Sequence, residues 1–192
     1  MTVLSLDSAR ITDGHRVLAE SLTFEARGPR VVLLGDATPI FATLAGRAKL
    51  ATGTLCVLGI APSELGSALG LAPRDPPLML DLSPREHATW SARLAGVPSP
   101  QAEAEADRAL SLAGLTSVAS KPLRTLGLGQ KRLTVLAAAA VASPRVLAAE
   151  APLDGLDAAW STYVLGALGR LAGASAAIVS VSDASEGSAG AS

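Results

Sequence analysis

The stretch RVVLLGDATP, Arg30 to Pro39, decides the fold. After its arginine it runs Val-Val-Leu-Leu without a polar interruption and then meets Gly35, the pattern of a parallel strand covered on both faces and ending at a ligand-type loop. Thr38 followed by Pro39 reads as an N-cap and a first helical residue, opening a short helix through Gly46. Strand, glycine turn and helix in that order predict an α/β protein with a largely parallel sheet. Working outward, further strands are expected at Thr2 to Leu6, Thr54 to Leu58, Arg145 to Ala149 and Ala177 to Val181. The middle of the chain is helical instead. Ser83-Pro84-Arg85-Glu86 has the spacing of a capping box and starts a helix to Leu94, and Ser99-Pro100 starts another that ends near Ala113. Residues 75–142 therefore read as a helical subdomain set into an α/β core made of residues 1–74 and 143–192. From Asp157, the positions Trp160, Val164, Leu165, Leu168 and Leu171 recur at helical spacing and predict a helix over one sheet face. The tail Asp183 to Ser192 is small and polar and is expected to fray.

Composition narrows the function. With 192 residues the chain can bury a real core. Sixteen Lys plus Arg against seventeen Asp plus Glu give a net charge of −1, so no global field attracts nucleic acid or an acidic membrane surface. Two Trp, one Tyr and two Phe leave few platforms for stacking bases, and the core must be aliphatic. One cysteine excludes an internal disulfide, and with two histidines it makes a poor metal-ligand set. No apolar run is long enough to span a bilayer, and the start MTVLSLDSAR lacks a secretion signal, so the chain is expected in the cytoplasm without inserting into a membrane. Cys56 reads as a small buried apolar residue, His15 and His87 carry no catalytic pattern, and Lys131-Arg132 read as a solvated helix face.

Four stretches together resemble the ATP-binding subunit of ATP-binding cassette (ABC) transporters, over nearly the whole chain. VLLGDATPIFATLAGRAKLATGTLCVLG (Val32 to Gly59) is similar to the phosphate-loop strand, its helix and the following turn. LAPRDPPLMLDLSPRE (Leu71 to Glu86) is similar to the loop that carries a metal-contacting glutamine. LGLGQ, formed by Leu126, Gly127, Leu128, Gly129 and Gln130, resembles the LSGGQ signature, and VLAAEAPLDGLD (Val146 to Asp157) resembles the Walker B segment and D-loop. The resemblance implies a P-loop NTPase-like, RecA-like α/β sheet flanked by helices with a helical subdomain, ATP and magnesium as cofactors, and a membrane permease or a second ABC ATPase subunit as partner.

The residues themselves depart from that chemistry. A phosphate loop needs about four residues between its first glycine and a Gly-Lys-Ser/Thr, so that amides wrap the phosphates and the lysine reaches the terminal ones. Here Gly35 is followed by Asp-Ala-Thr-Pro, and no lysine precedes Lys49. Gly35, Asp36 and Thr38 are thus weak candidates for holding nucleotide, and Asp36 sets a carboxylate where triphosphate would sit. By the resemblance, the magnesium aspartate falls on Glu150, a weak candidate for a cation. The water-orienting glutamate falls on Ala151, the switch histidine on Ser182 and the loop glutamine on Arg74. The adenine-stacking aromatic falls near Ile11 or Thr12. Gly127 replaces the signature serine, and Asp157 reads equally as a D-loop contact and a helix N-cap. The expectation is a catalytically degenerate ABC subunit that needs no cofactor. It would work as a structural or regulatory partner of a permease or a competent ATPase at the cytoplasmic face of a membrane. The alternatives are a subunit with weak residual ATP binding and a soluble interaction module no longer tied to transport.

Overall fold

Leucine, valine and alanine alternate along three short parallel strands so that each strand feeds two cores at once. The computed structural model describes residues 1–76 and 78–182, and the expected fraying of Asp183 to Ser192 lies outside them. Strands β1 (Thr2–Asp13), β2 (Arg16–Arg27) and β4 (Lys49–Val57) form an antiparallel sheet in the order β2-β1-β4. Strands β3 (Arg30–Leu34), β5 (Leu69–Ala72), β6 (Val146–Ala149) and β7 (Ala176–Val181) form a parallel sheet in the order β3-β7-β6-β5. On one face of this sheet Val146, Ala148, Ala176 and Ile178 join the antiparallel sheet and helix α1 (Thr38–Leu44), whose Phe41 is completely buried. On the other face Leu147, Ala149, Ala177 and Val179 join helices α3 (Pro84–Leu94), α4 (Ser99–Ala113), α5 (Leu128–Ala140) and α6 (Ala158–Ala172). A short helix α2 (Pro62–Leu65) completes the set. The period-two alternation of a strand is what lets one small sheet anchor both layers.

The helical starts follow their local chemistry. Ser83 caps α3 in a two-way capping box: its hydroxyl accepts from the Glu86 N–H, and the Glu86 carboxylate accepts from the Ser83 N–H at 2.8 Å. Alanines Ala102, Ala106, Ala109 and Ala113 fall on one stripe of α4 and are wholly buried, so small side chains let this helix lie close to its neighbours. Gly70 in β5 is required by the same closeness, because a Cβ there would sit 2.0 Å from the Ala139 carbonyl oxygen of α5.

Several expectations are corrected. The first and third expected strands are longer, and β2 was not expected at all, because its Arg, Glu and Ser break the apolar pattern while only one side packs inward. Strand β3 is an edge strand, with Val32 59% and Leu34 78% exposed, since no described strand lies beyond it and no β3 residue joins the helical core. In α6, Val164, Leu168 and Leu171 are buried as expected, but Leu165 faces solvent. Among the described residues no helix is long and apolar enough to cross a membrane.

Two outcomes follow from this packing. Phe41→Ala should cost about 3–5 kcal/mol in urea unfolding, since it empties the centre of the α1 core. Its hydrogen bonds to Ser83 hold Glu86 below the ordinary glutamate pKa of 4.5, so the stabilisation is complete above that pH and is lost as pH falls through the lower folded value. Wild type should therefore lose more stability between neutral pH and pH 3 than Glu86→Gln does, as read by denaturant midpoints.

Candidate functional site

The C-terminal ends of the parallel strands converge on one polar centre, and the turn after β3 forms its rim. Gly35, at φ +82°, donates its N–H to the Val181 carbonyl at 3.2 Å, and the Ala37 N–H donates to the Gly35 carbonyl at 3.1 Å. The Asp36 carboxylate accepts from the Thr38 N–H at 3.0 Å. Ile40 and Phe41 both donate to the Ala37 carbonyl, and Pro39 has no N–H to give. The Gly35, Ala37 and Thr38 amides of the turn are therefore spent inside the chain. Thr38 is the first helical residue and not the expected N-cap; Ala37 holds the cap position, and the Asp36 side chain supplies the acceptor that Ala37 lacks.

At the end of β6, Glu150 is 95% buried, its N–H donating to the Ala72 carbonyl at 2.8 Å. Its carboxylate accepts from the Arg74 backbone N–H at 3.3 Å, and the Arg47 guanidinium lies 3.8 Å away. Arg74 ties the rest together. Its Nη2 donates to the Ser182 hydroxyl, its Nε lies 3.2 Å from Asp154 in an ion pair whose N–H points off the hydrogen-bond line, and its carbonyl accepts from Arg132. The Ser182 hydroxyl also donates to Asp154 at 3.2 Å. Three of the four positions singled out from the sequence, Arg74, Glu150 and Ser182, thus meet in one network. The fourth, Ala151, sits beside it at φ +44° and donates its N–H to the Ser180 hydroxyl at 2.9 Å.

The signature-like turn is built differently from a glycine-rich contact loop. Leu126 is buried, Gly127 is exposed, and the Gln130 side chain accepts from the Gly127 N–H at 3.2 Å. Gly129 is buried under the Trp160 ring, which would stand 2.3 Å from a Cβ placed there, and Leu128 projects to solvent with 46% exposure. Asp157 is the N-cap of α6, accepting from the Trp160 N–H at 2.8 Å. Ile11 is wholly buried and so presents nothing to a base. Cys56 is half-buried and not the buried residue expected, because it lies on β4 opposite Ser5. Arg132 is not solvated either, since it reaches the Arg74 carbonyl. Sequence reasoning missed Arg47 and Asp154. The signal for Asp154 was its place in Leu-Asp-Gly-Leu-Asp, four residues after Glu150; Arg47 carried none.

No family model matches the chain. It is 32% identical over 157 residues to a Streptomyces coelicolor protein described as an ABC transporter ATP-binding protein, which covers 77% of this chain and 60% of the relative. It is 27% identical over 184 residues to the hypophosphite import ATP-binding protein HtxD of Stutzerimonas stutzeri, covering 84% and 54%. It is 32% identical over 137 residues to the taurine import ATP-binding protein TauB of Pseudomonas entomophila, covering 68% and 53%. The chain thus spans little more than half the length of these relatives. Among solved structures it superposes on CbiO1 of Clostridium perfringens, part of the transporter complex CbiONQ. The TM-score is 0.78 at 19% identity, over 95% of this chain and 79% of that one. That likeness shows the α/β fold.

The packing of Gly129 makes a direct prediction. Gly129→Ala should destabilise the isolated chain by about 1–3 kcal/mol through its own Trp160, and the loss should shrink in a Trp160→Leu background. Equal losses in both backgrounds, measured by chemical denaturation, would show that Trp160 is not what excludes a side chain.

Proposed function

The chain belongs to the family of ABC transporter ATP-binding proteins, and within it we propose that it is a catalytically degenerate subunit that serves as a structural or regulatory partner. The observation that carries this is the turn after β3. A triphosphate needs free amides and a lysine; this turn has committed the Gly35, Ala37 and Thr38 amides internally, one of them to a carboxylate. Bound phosphates would have to displace that hydrogen bond and then face the charge of Asp36. The metal position fares no better, because Glu150 already has the Arg47 guanidinium and the Arg74 N–H around it. The residues present do not fit ATP with magnesium.

Within this reading, residues 1–74 and 143–192 act as the core and 75–142 as a helical subdomain, and the chain works in the cytoplasm against a membrane permease, a second ABC subunit, or both. The permease surface is a cavity of about 290 Å³ between β5, the Arg74 loop, α3 and α5, lined by Leu71, Pro73, Pro76, His87, Ser91 and Leu94. Its walls are mostly apolar, as suits an amphipathic helix from a partner. Burial lowers the His87 pKa, so the imidazole is neutral there at physiological pH.

Titration calorimetry with Mg-ATP should give no binding tighter than about 0.1 mM, roughly −5.5 kcal/mol. Tighter binding would support the residual-nucleotide alternative. Ala151→Glu should release no phosphate from ATP above a no-protein control, because a base cannot act before phosphate is positioned. Steady turnover by that variant would overturn the proposal. Purification from the native cell should recover a permease or ABC subunit with the chain; recovery of only unrelated soluble partners would favour the interaction-module alternative.

A further inference from the structure

We propose that the cavity between the Arg74 loop and the start of α5 is a binding site for a small oxyanion, distinct from the turn after β3. The cavity holds about 200 Å³ and is lined by Arg74, Asp75, Pro76, Leu78, Leu128, Lys131, Arg132 and Val135. Three of these are cations and one, Asp75, is a carboxylate. Asp75 is exposed, and among the described residues neither it nor Lys131 has an oppositely charged partner within 4.0 Å.

Arg132 is also under-satisfied. Arg132 spends one guanidinium nitrogen on the Arg74 carbonyl, yet its buried Nε has no hydrogen-bond partner. Arg74 is already committed to Ser182 and Asp154, so the charge left for a ligand at the cavity is that of Arg132 and Lys131. Buried donors without acceptors cost free energy, and guanidinium groups gain most from a bidentate oxyanion. Lys131, one residue away on the first turns of α5, adds a second cation at the cavity. The size suits phosphate, sulfate or the terminal phosphoryl group of a larger molecule, and the flanking Leu78, Leu128 and Val135 favour ligands that keep their charge compact. Such an anion would bridge the loop after β5 to helix α5, and so couple the sheet to the helical layer.

The test compares thermal unfolding of the intact chain in inorganic phosphate and in chloride at matched ionic strength. Phosphate should raise Tm by about 2 °C or more in wild type. Lys131→Glu, which removes no described side-chain hydrogen bond, should abolish the rise, and Lys131→Gln should reduce it. No phosphate-specific rise, or a rise unchanged in Lys131→Glu, would overturn the site and leave the orphan donor to water. An ATP arm without magnesium separates the sources and separates this proposal from the functional one. A rise with ATP that Lys131→Glu removes would assign the nucleotide's phosphoryl end to this cavity. An ATP rise that persists in Lys131→Glu would instead count against the degenerate turn after β3, while the phosphate arm alone decides the cavity.

Discussion

A single buried carboxylate, Glu150 at the end of β6, constrains everything around it. The sheet that carries it is flanked by two aliphatic cores, so the charge must be met locally by polar groups. Arg74 meets it with a backbone N–H and Arg47 with a guanidinium, the latter 60% exposed and therefore screened by solvent. The Arg74 side chain is then free to turn toward Ser182 and Asp154, and its carbonyl is free for Arg132. One loop residue thereby joins the exits of β5, β6 and β7 to α5. Removing one partner from such a network leaves the others unsatisfied, which is why these positions hold together as a unit.

On the proposed reading, this arrangement lets the family fold persist without the family's phosphate chemistry. A nucleotide-binding turn is costly to keep open, since its amides must stay unpaired until ligand arrives. Here Asp36 closes that account by accepting the Thr38 N–H, and the chain passes directly into α1, whose Phe41 fills the first core. Stability then rests on the two faces of the parallel sheet. In the signature-like turn only Gly129 packs inward, making room for the Trp160 ring, while Leu128 projects to solvent.

Strands β6 and β7 and the helices α3, α4 and α6 were legible because burial on both faces, capping residues and helical spacing each leave a local pattern, and β3 was legible as a strand from its apolar run ending at Gly35. Strand β2 was not, since its solvent face interrupts the apolar run with Arg16, Glu20 and Glu25. The exposure of Val32 and Leu34 was illegible for a different reason: an edge strand and a central one read alike until the sheet order is known. Within the site, the absence of a lysine and the positions of Glu150, Ala151, Arg74 and Ser182 could be read directly. The contacts of Arg47 and Arg132 could not, because a long cation's partner is set by distant segments.

The central claim is that the turn after β3 is a closed, self-satisfied connection and not a nucleotide cradle. Amide hydrogen exchange over Gly35 to Leu44, with and without excess Mg-ATP, tests it most directly. The account predicts that the Thr38 amide is already slow in the free chain, held by Asp36, and that Mg-ATP leaves the exchange of the whole segment unchanged. A fast Thr38 amide that becomes protected on adding Mg-ATP, together with those of Asp36 and Ala37, would contradict it.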